Sequence, residues 1–313
     1  MTAGSEGTVA SVGVDVGASK TASGLVEFPS GRILASASVA TPSFGRVPDH
    51  VDHVVEAAAR MVQEAGARSV PVAGVGVGVC ELVDLDGRVR SAASIELRGD
   101  RLVAGLSSLA DVVIVDSDVR AHALAEARFG HGRAFGDFAF VSAGSGISSC
   151  LVIGGKPYAG AHGNAIVLTS SPVTVRCSSC GAITSEIVEN VASGRAIAAV
   201  GGTGTADGVF EAAAAGEERA VAILDHAATS LGSSIAFLAN VADPGAIVIG
   251  GGLASAPGSF WSDVEREMRE RIWSEQTRAL PFELTTLGPE AGVVGAGSLV
   301  AVQGGLRPSS SRP

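Results

Sequence analysis

The run Val9-Ala10-Ser11-Val12-Gly13-Val14-Asp15-Val16-Gly17-Ala18-Ser19-Lys20-Thr21 decides how the rest of the chain is read. Residues 9–16 are mostly small or branched apolar side chains, which reads as a buried strand. The strand ends beside the carboxylate of Asp15 and enters a turn of small residues. Such residues let backbone N–H groups approach a phosphate closely. An acid beside them holds Mg²⁺, usually through water. The plain alternative is an ordinary hairpin with an exposed Asp. The spacing matches neither GxxxxGK[ST] nor GxGxxG.

The second half repeats this theme. Residues 138–143 read as a strand, followed by Gly144-Ser145-Gly146-Ile147-Ser148-Ser149, a strand over 148–153 and a turn at Gly154-Gly155-Lys156-Pro157. Strand, glycine turn, strand and hairpin thus occur twice. The duplication suggests two related lobes facing each other across a cleft. Between the copies the pattern predicts strands over 22–28, 33–40, 72–79 and 112–115. It also predicts helices over 49–65 and from Asp118 to Phe129. Beyond them it predicts helices over 184–200, 206–216 and 217–240, then a strand over 246–249.

The bulk numbers narrow the class. A chain of 313 residues suggests two domains, and 46% hydrophobic residues supply a sizeable core. A formal net charge of −10 without a basic run argues against nucleic acid or an anionic membrane as partner. No signal-peptide pattern opens the chain, and no 18-residue window is uninterruptedly apolar. Four cysteines, Cys80, Cys150, Cys177 and Cys180, need no disulfide framework. A reducing cytoplasm is the expected location.

Four more segments carry possible chemistry. Val115-Asp116-Ser117-Asp118 puts two carboxylates where a strand enters a helix. Either is a helix cap or a base that takes a proton from an attacking hydroxyl. Gly155 to Ala165 is a glycine-bearing loop with His162-Gly163-Asn164. Cys177-Ser178-Ser179-Cys180 has the spacing of half a zinc site, without a second pair to complete it. Asp243 to Gly252 is a strand ending in Gly250-Gly251-Gly252, bare backbone that suits a flat ring.

Together and in order, GVDVGASKT, VDSDVRAHALAEA, AGSGIS, GKPYAGAHGNA, ENVASG, DPGAIVIGGG and LGPEAGVVGAGSL resemble the ROK family (repressors, open reading frames and kinases). The resemblance spans residues 12 to about 302. It implies an α/β, two-lobed, actin-like ATPase fold of the hexokinase type, with ATP in the cleft. The small lobe is expected over 1–117, with a final helix at about 293–305 returning to it. The larger lobe is expected over 118–292, and a frayed tail over 306–313. By resemblance Asp15 serves Mg²⁺, and Gly17, Ala18, Ser19 and Lys20 serve the phosphates. Gly144, Ser145 and Gly146 hold the other side of the phosphate chain. Gly250, Gly251 and Gly252 lie near adenosine, and Asp118 falls on the catalytic aspartate. Dimers are usual in the family, so a homodimer is expected. Repressor members carry an N-terminal DNA-binding module, which is not expected here.

The departures concern the acceptor. Where the family reads E-N-D, this chain has Asp116-Ser117-Asp118, so Ser117 replaces an Asn that contacts a sugar hydroxyl. The family's G-E-x-G-H is Ile166-Val167-Leu168-Thr169-Ser170, which removes a sugar-binding Glu and a His that binds sugar and zinc. The zinc cluster is reduced to Cys177 and Cys180. A further sugar-binding Glu fits Glu189, with Glu186 as the alternative. Cys80-Glu81 replaces a Pro-Gly turn and brings a new carboxylate, Glu81, towards the cleft. A hydroxyl buried against Val167 without a partner costs roughly 1–3 kcal/mol. The implied activity is ATP-dependent phosphorylation of a primary hydroxyl on a ring unlike glucose on that side. A C7-cyclitol of the valiolone type or an amino sugar such as kanosamine fits. An ordinary hexose kinase and a silent sugar-binding homologue are the alternatives.

Overall fold

The computed structural model describes residues 9–46, 49–165 and 167–303. Ile166, the expected tail over 306–313 and the helix end beyond 303 lie outside the described residues. In chain order the elements are β1 (Val9–Val16), β2 (Lys20–Phe28), β3 (Ile33–Ala40), α1 (His50–Ala67), β4 (Val72–Val79), α2 (Arg101–Ser107), β5 (Val113–Ser117), α3 (Asp118–Phe129), β6 (Phe138–Ala143), β7 (Ile147–Ile153), β8 (Lys156–Pro157), β9 (Val173–Arg176), β10 (Ile183–Glu186), α4 (Glu189–Ala192), α5 (Gly194–Gly201), α6 (Ala206–Ala214), α7 (Glu218–Ala242), β11 (Ile247–Gly250), α8 (Phe260–Arg271), α9 (Glu275–Arg278), β12 (Phe282–Leu284) and α10 (Ala291–Gln303).

The chain divides into two compact units. Unit 1 is Met1–Gly130 with Pro157–Ala165 and Leu287–Pro313, and unit 2 is His131–Lys156 with Ile166–Thr286. The division therefore falls after Gly130 and not at the expected 117/118. The reason is that α3 packs backbone to backbone on α10. A Cβ added at Gly295 would lie 2.1 Å from the Ala121 carbonyl oxygen.

Unit 1 holds a five-stranded sheet ordered β3-β2-β1-β4-β5. β1 runs antiparallel to β2 and parallel to β4, and β4 is parallel to β5. Side chains alternate between faces. Val12 and Val14 join Val54, Ala58 and Met61 of α1 in one core cluster. The other face is a glycine groove. Gly24, Gly13 and Gly76 are register partners across β2, β1 and β4. A Cβ at Gly13 would sit 2.1 Å from the Val293 oxygen, and one at Gly76 1.9 Å from the Ala296 oxygen. Only glycine lets α10 lie this close to the sheet.

Unit 2 repeats the plan. Its sheet is ordered β12-β11-β6-β7-β8, with β6 antiparallel to β7 and parallel to β11. Each unit thus has a central strand with a hairpin partner on one side and a parallel partner on the other. Gly154 and Gly155 have φ of 57° and 72°, as a two-residue type I′ hairpin turn requires. α7 is long and apolar enough, by length and composition, to cross a membrane. Its Ala227, Leu231, Ile235 and Ala239 are instead buried in one core cluster with Val264 and Met268 of α8. One expectation fails locally. The segment 184–200 is not one helix, because β10 pairs with β9 and the chain then breaks at Ser193, with φ −71° and ψ 155°. Ser193 caps α5, its Oγ accepting from the Ala196 N–H at 3.2 Å.

Candidate active site

The carboxyl ends of β1, β4 and β5 carry a group of acidic residues, where open parallel sheets present ligand-binding groups. Asp15 is the penultimate residue of β1, Glu81 follows β4, and Asp116 lies near the end of β5. Asp118 opens α3 and is only partly exposed. Burial pushes its pKa up to about 6; His122 opposes the shift and Asp15 adds to it. Its Oδ1 accepts from the Val119 N–H at 2.6 Å. Ser117 occupies the cap position, but its side chain makes no capping bond. The Ser117 Oγ is buried and has no hydrogen-bond partner among the described residues.

His122 lies one turn along α3, with Nε2 3.5 Å from Asp15 Oδ2. Burial disfavours its charge, yet Asp15, Asp118 and Glu126 outweigh burial and raise its pKa. α10 closes over the pair. A Cβ at Gly292 would lie 2.2 Å from Asp15 Oδ2 and 2.3 Å from His122 Nε2.

Glu81 does not play its expected part. Its Oε1 accepts from the N–H groups of Ser94 and Ile95 at 2.6 and 2.9 Å. Its Oε2 accepts from the Ala93 N–H at 3.0 Å and from the Ser91 hydroxyl. Burial works to raise its pKa, but these four donors hold it below the usual range. A carboxylate so filled has no lone pair left for an acceptor. Glu81 fastens the loop 91–95. Beside it, burial and then Asp118 and Glu81 push the Cys80 thiol up to about 12, so it stays protonated and inert.

The sequence reading missed Arg120. This buried guanidinium donates from Nε to Asp116 Oδ1 at 2.6 Å, from Nη1 to the Gly163 oxygen at 2.6 Å and from Nη2 to the Val83 oxygen at 2.9 Å. In the loop 157–165, Gly163 is buried while His162 and Asn164 are exposed. An Arg two residues beyond a candidate base was a visible signal, but its two carbonyl partners lie in distant segments.

The two glycine turns differ from expectation in one detail. The Gly17 N–H is committed to the Lys20 oxygen at 3.0 Å and the Gly144 N–H to the Gly146 oxygen at 2.9 Å. These donors close the turns, and the exposed residues at the tips are Ala18, Ser19, Lys20 and Ser145. In unit 2 the fold brings two predicted motifs together. A Cβ at Gly144 would be 3.6 Å from the Gly252 nitrogen. At Gly251, φ is 84° and a Cβ would meet the Ala143 oxygen at 2.3 Å, so only glycine fits. Glu189 sits against the same turn, accepting from the Ile147 N–H at 3.2 Å and the Ser170 hydroxyl at 3.4 Å. Glu186 instead lies exposed in β10.

Cys177 and Cys180 lie exposed at the tip of the β9–β10 hairpin. Backbone N–H groups of Cys180 and Ser179 lower the Cys177 pKa. Among the described residues no three His, Cys, Asp or Glu side chains are grouped to hold a metal. Two thiols fall short of the four ligands of a structural zinc site, so this donor set does not fit zinc. Mg²⁺ differs, because it is commonly held by one or two carboxylates plus waters and substrate phosphates. Asp15, partly exposed at its strand end, fits that requirement.

The geometry defines a two-unit α/β chain with paired glycine turns and a raised carboxyl at a helix start. The profile of the ROK family matches residues 11–303, and the chain belongs to that family. It is 28% identical to a glucokinase of Streptomyces coelicolor, covering 92% of this chain and 96% of the other. It is 29% identical to a glucokinase of Halalkalibacterium halodurans over 74% of this chain and 76% of that one. Among solved structures, a ROK family glucokinase from Streptomyces griseus in complex with glucose and AMPPNP superposes with a TM-score of 0.75 at 30% identity, covering 93% of this chain and 98% of that one.

Proposed function

We propose that this chain is a kinase that transfers the γ-phosphoryl group of ATP to a hydroxyl of a sugar-like ring, with Asp118 accepting the hydroxyl proton. The observation that carries the reading is the Asp118 carboxyl, raised to about 6 at the junction of β5 and α3. A base with that pKa is ionised at neutral pH yet still takes a proton readily. The glucokinase relatives support the reaction class. Asp15 would hold Mg²⁺ through water, and Mg²⁺ supplies neutralisation of phosphate charge when bound. The exposed turn residues Ala18, Ser19, Lys20 and Ser145 would face the phosphates. The open backbone at Gly252 would face adenosine.

The acceptor is neutral or cationic in this reading. Asp15 adds negative charge beside the base Asp118, while Arg120 and His122 already face the carboxylates of Asp116 and Asp15. An acidic sugar would meet repulsion there. A C7-cyclitol of the valiolone type or an amino sugar of the kanosamine type satisfies this and the lost sugar contacts. Ser117, with its unmatched hydroxyl, and His162 and Asn164 would bind it. Glucose itself is the second reading, favoured by the glucokinase relatives. A cytoplasmic location agrees with four free cysteines. A mass-spectrometric screen of hexoses, amino sugars and cyclitols with Mg–ATP tests the proposal. Phosphorylated cyclitol or amino sugar supports it. Glucose as the best acceptor selects the second reading, and no product with any acceptor removes the kinase reading.

A further inference from the structure

We infer that Arg120 is a positioning residue that sets the loop 157–165 against the helix carrying Asp118, and thereby fixes how the acceptor meets the base. The inference rests on the kinase reading above. Arg120 is buried and lies two residues beyond Asp118 on α3. Its three hydrogen-bonding directions end on three separate segments. Nε reaches Asp116 at the end of β5, Nη2 the Val83 oxygen in the loop after β4, and Nη1 the Gly163 oxygen. The two loops also meet directly. A Cβ at Gly163, where φ is 78°, would lie 2.2 Å from the Val83 oxygen and 2.7 Å from the Asp84 Cα. His162 and Asn164 flank that contact and remain exposed.

A guanidinium is planar, so its donors leave in fixed directions. Holding Asp116 therefore dictates where the two carbonyls sit, and with them His162 and Asn164. Lysine keeps the charge but concentrates it at one flexible point. It can hold Asp116 while losing the fixed angle to Gly163 and Val83. The Arg120 donors are committed to Asp116, Gly163 and Val83, so it acts through these segments. Its effect should appear in acceptor binding and not in ATP binding.

The test compares wild type with Arg120→Lys, using glucose, N-acetylmannosamine, kanosamine and valiolone as acceptors with Mg–ATP. With any acceptor that is turned over, the variant's acceptor KM should rise about tenfold while the ATP KM is unchanged. The pH profile near 6 should also be unchanged. Hydrogen exchange of the free protein should quicken in 157–165 and stay constant in the loop 91–95 held by Glu81. Gly163→Ala, which forces the loops apart but leaves the Asp116 pair, serves if Arg120→Lys does not fold, and should give the same KM split. Equal changes in both KM values, or no change in either, overturn the inference. If no acceptor is phosphorylated, the kinase reading fails separately, and the exchange result alone decides: unchanged protection of 157–165 overturns the role of Arg120.

Discussion

The base region of unit 1 and the hairpin region of unit 2 are built to opposite standards. Around Asp118 the side chains are closed in and cross-tied: Glu81 takes four donors, Arg120 joins three segments, and His122 faces Asp15 beneath Gly292. Between residues 167 and 186 the chain is mostly exposed, with Val167 at 42% and Ile183 at 66% accessibility. In the proposed function, the contrast separates groups that must be held in place from surface that can vary. Proton transfer and phosphate handling depend on preorganised charge, which needs burial and fixed partners. Several departures from the family pattern, Val167, Ser170, Cys177 and Cys180 among them, fall in the exposed segment, where exchange of side chains is tolerated.

The strongest way to break this contrast is to neutralise the base. Asp118→Asn should lower kcat by about 10²–10⁴-fold, as loss of a general base does, measured by coupled ADP release. Next is the glycine roof over the site. Gly292→Ala puts a methyl within 2.3 Å of both the Asp15 carboxylate and the His122 ring. Overpacking of this kind costs about 1–3 kcal/mol, read as a lower denaturant midpoint, and should lower activity in parallel.

A third test uses the raised pKa. Asp118 is held near 6 in the fold against 3.8 outside it. Its neutral form is favoured by folding, so stability from this group is full below 3.8 and is lost as pH rises through 6. Asp118→Asn should therefore stabilise the protein by about 2–3 kcal/mol above pH 7 and leave it unchanged below pH 4. Urea titrations at both pH values check this. The smallest effect belongs to the hairpin. Cys177→Ser with Cys180→Ser should shift stability by less than about 0.5 kcal/mol, and metal analysis of the wild type should find no stoichiometric zinc. A stoichiometric zinc would dissolve the contrast between the regions.

Much of the fold was legible because its strands follow simple patterns. β1, β3, β4, β6 and α3 have the bounds that apolar runs and turn residues predict. The β9–β10 hairpin was not, although Val173-Thr174-Val175 carries β-branched residues. Pairing across a turn is a long-range fact, and the helical reading of 184–200 ran over it. In the candidate site, the positions of Asp15, Asp118 and the glycine turns at the ends of apolar strands were legible, while the proposed role of Asp118 came from the family resemblance and not from its spacing. The fate of Glu81 was not, because its four donors arrive from residues 91–95 folding back. Arg120 was missed for the same reason, and so was the contact of Gly292 with Asp15 and His122. Close backbone approach leaves no mark in a sequence beyond the glycine itself.

The most direct measurement is the pH dependence of phosphoryl transfer from Mg–ATP to the acceptor panel, followed by product mass. Wild type should form a phosphorylated product whose rate falls with a slope of one as pH drops through about 6. Product formation that ignores pH between 5 and 8, or that survives intact in Asp118→Asn, would contradict a proton-accepting role for this carboxylate.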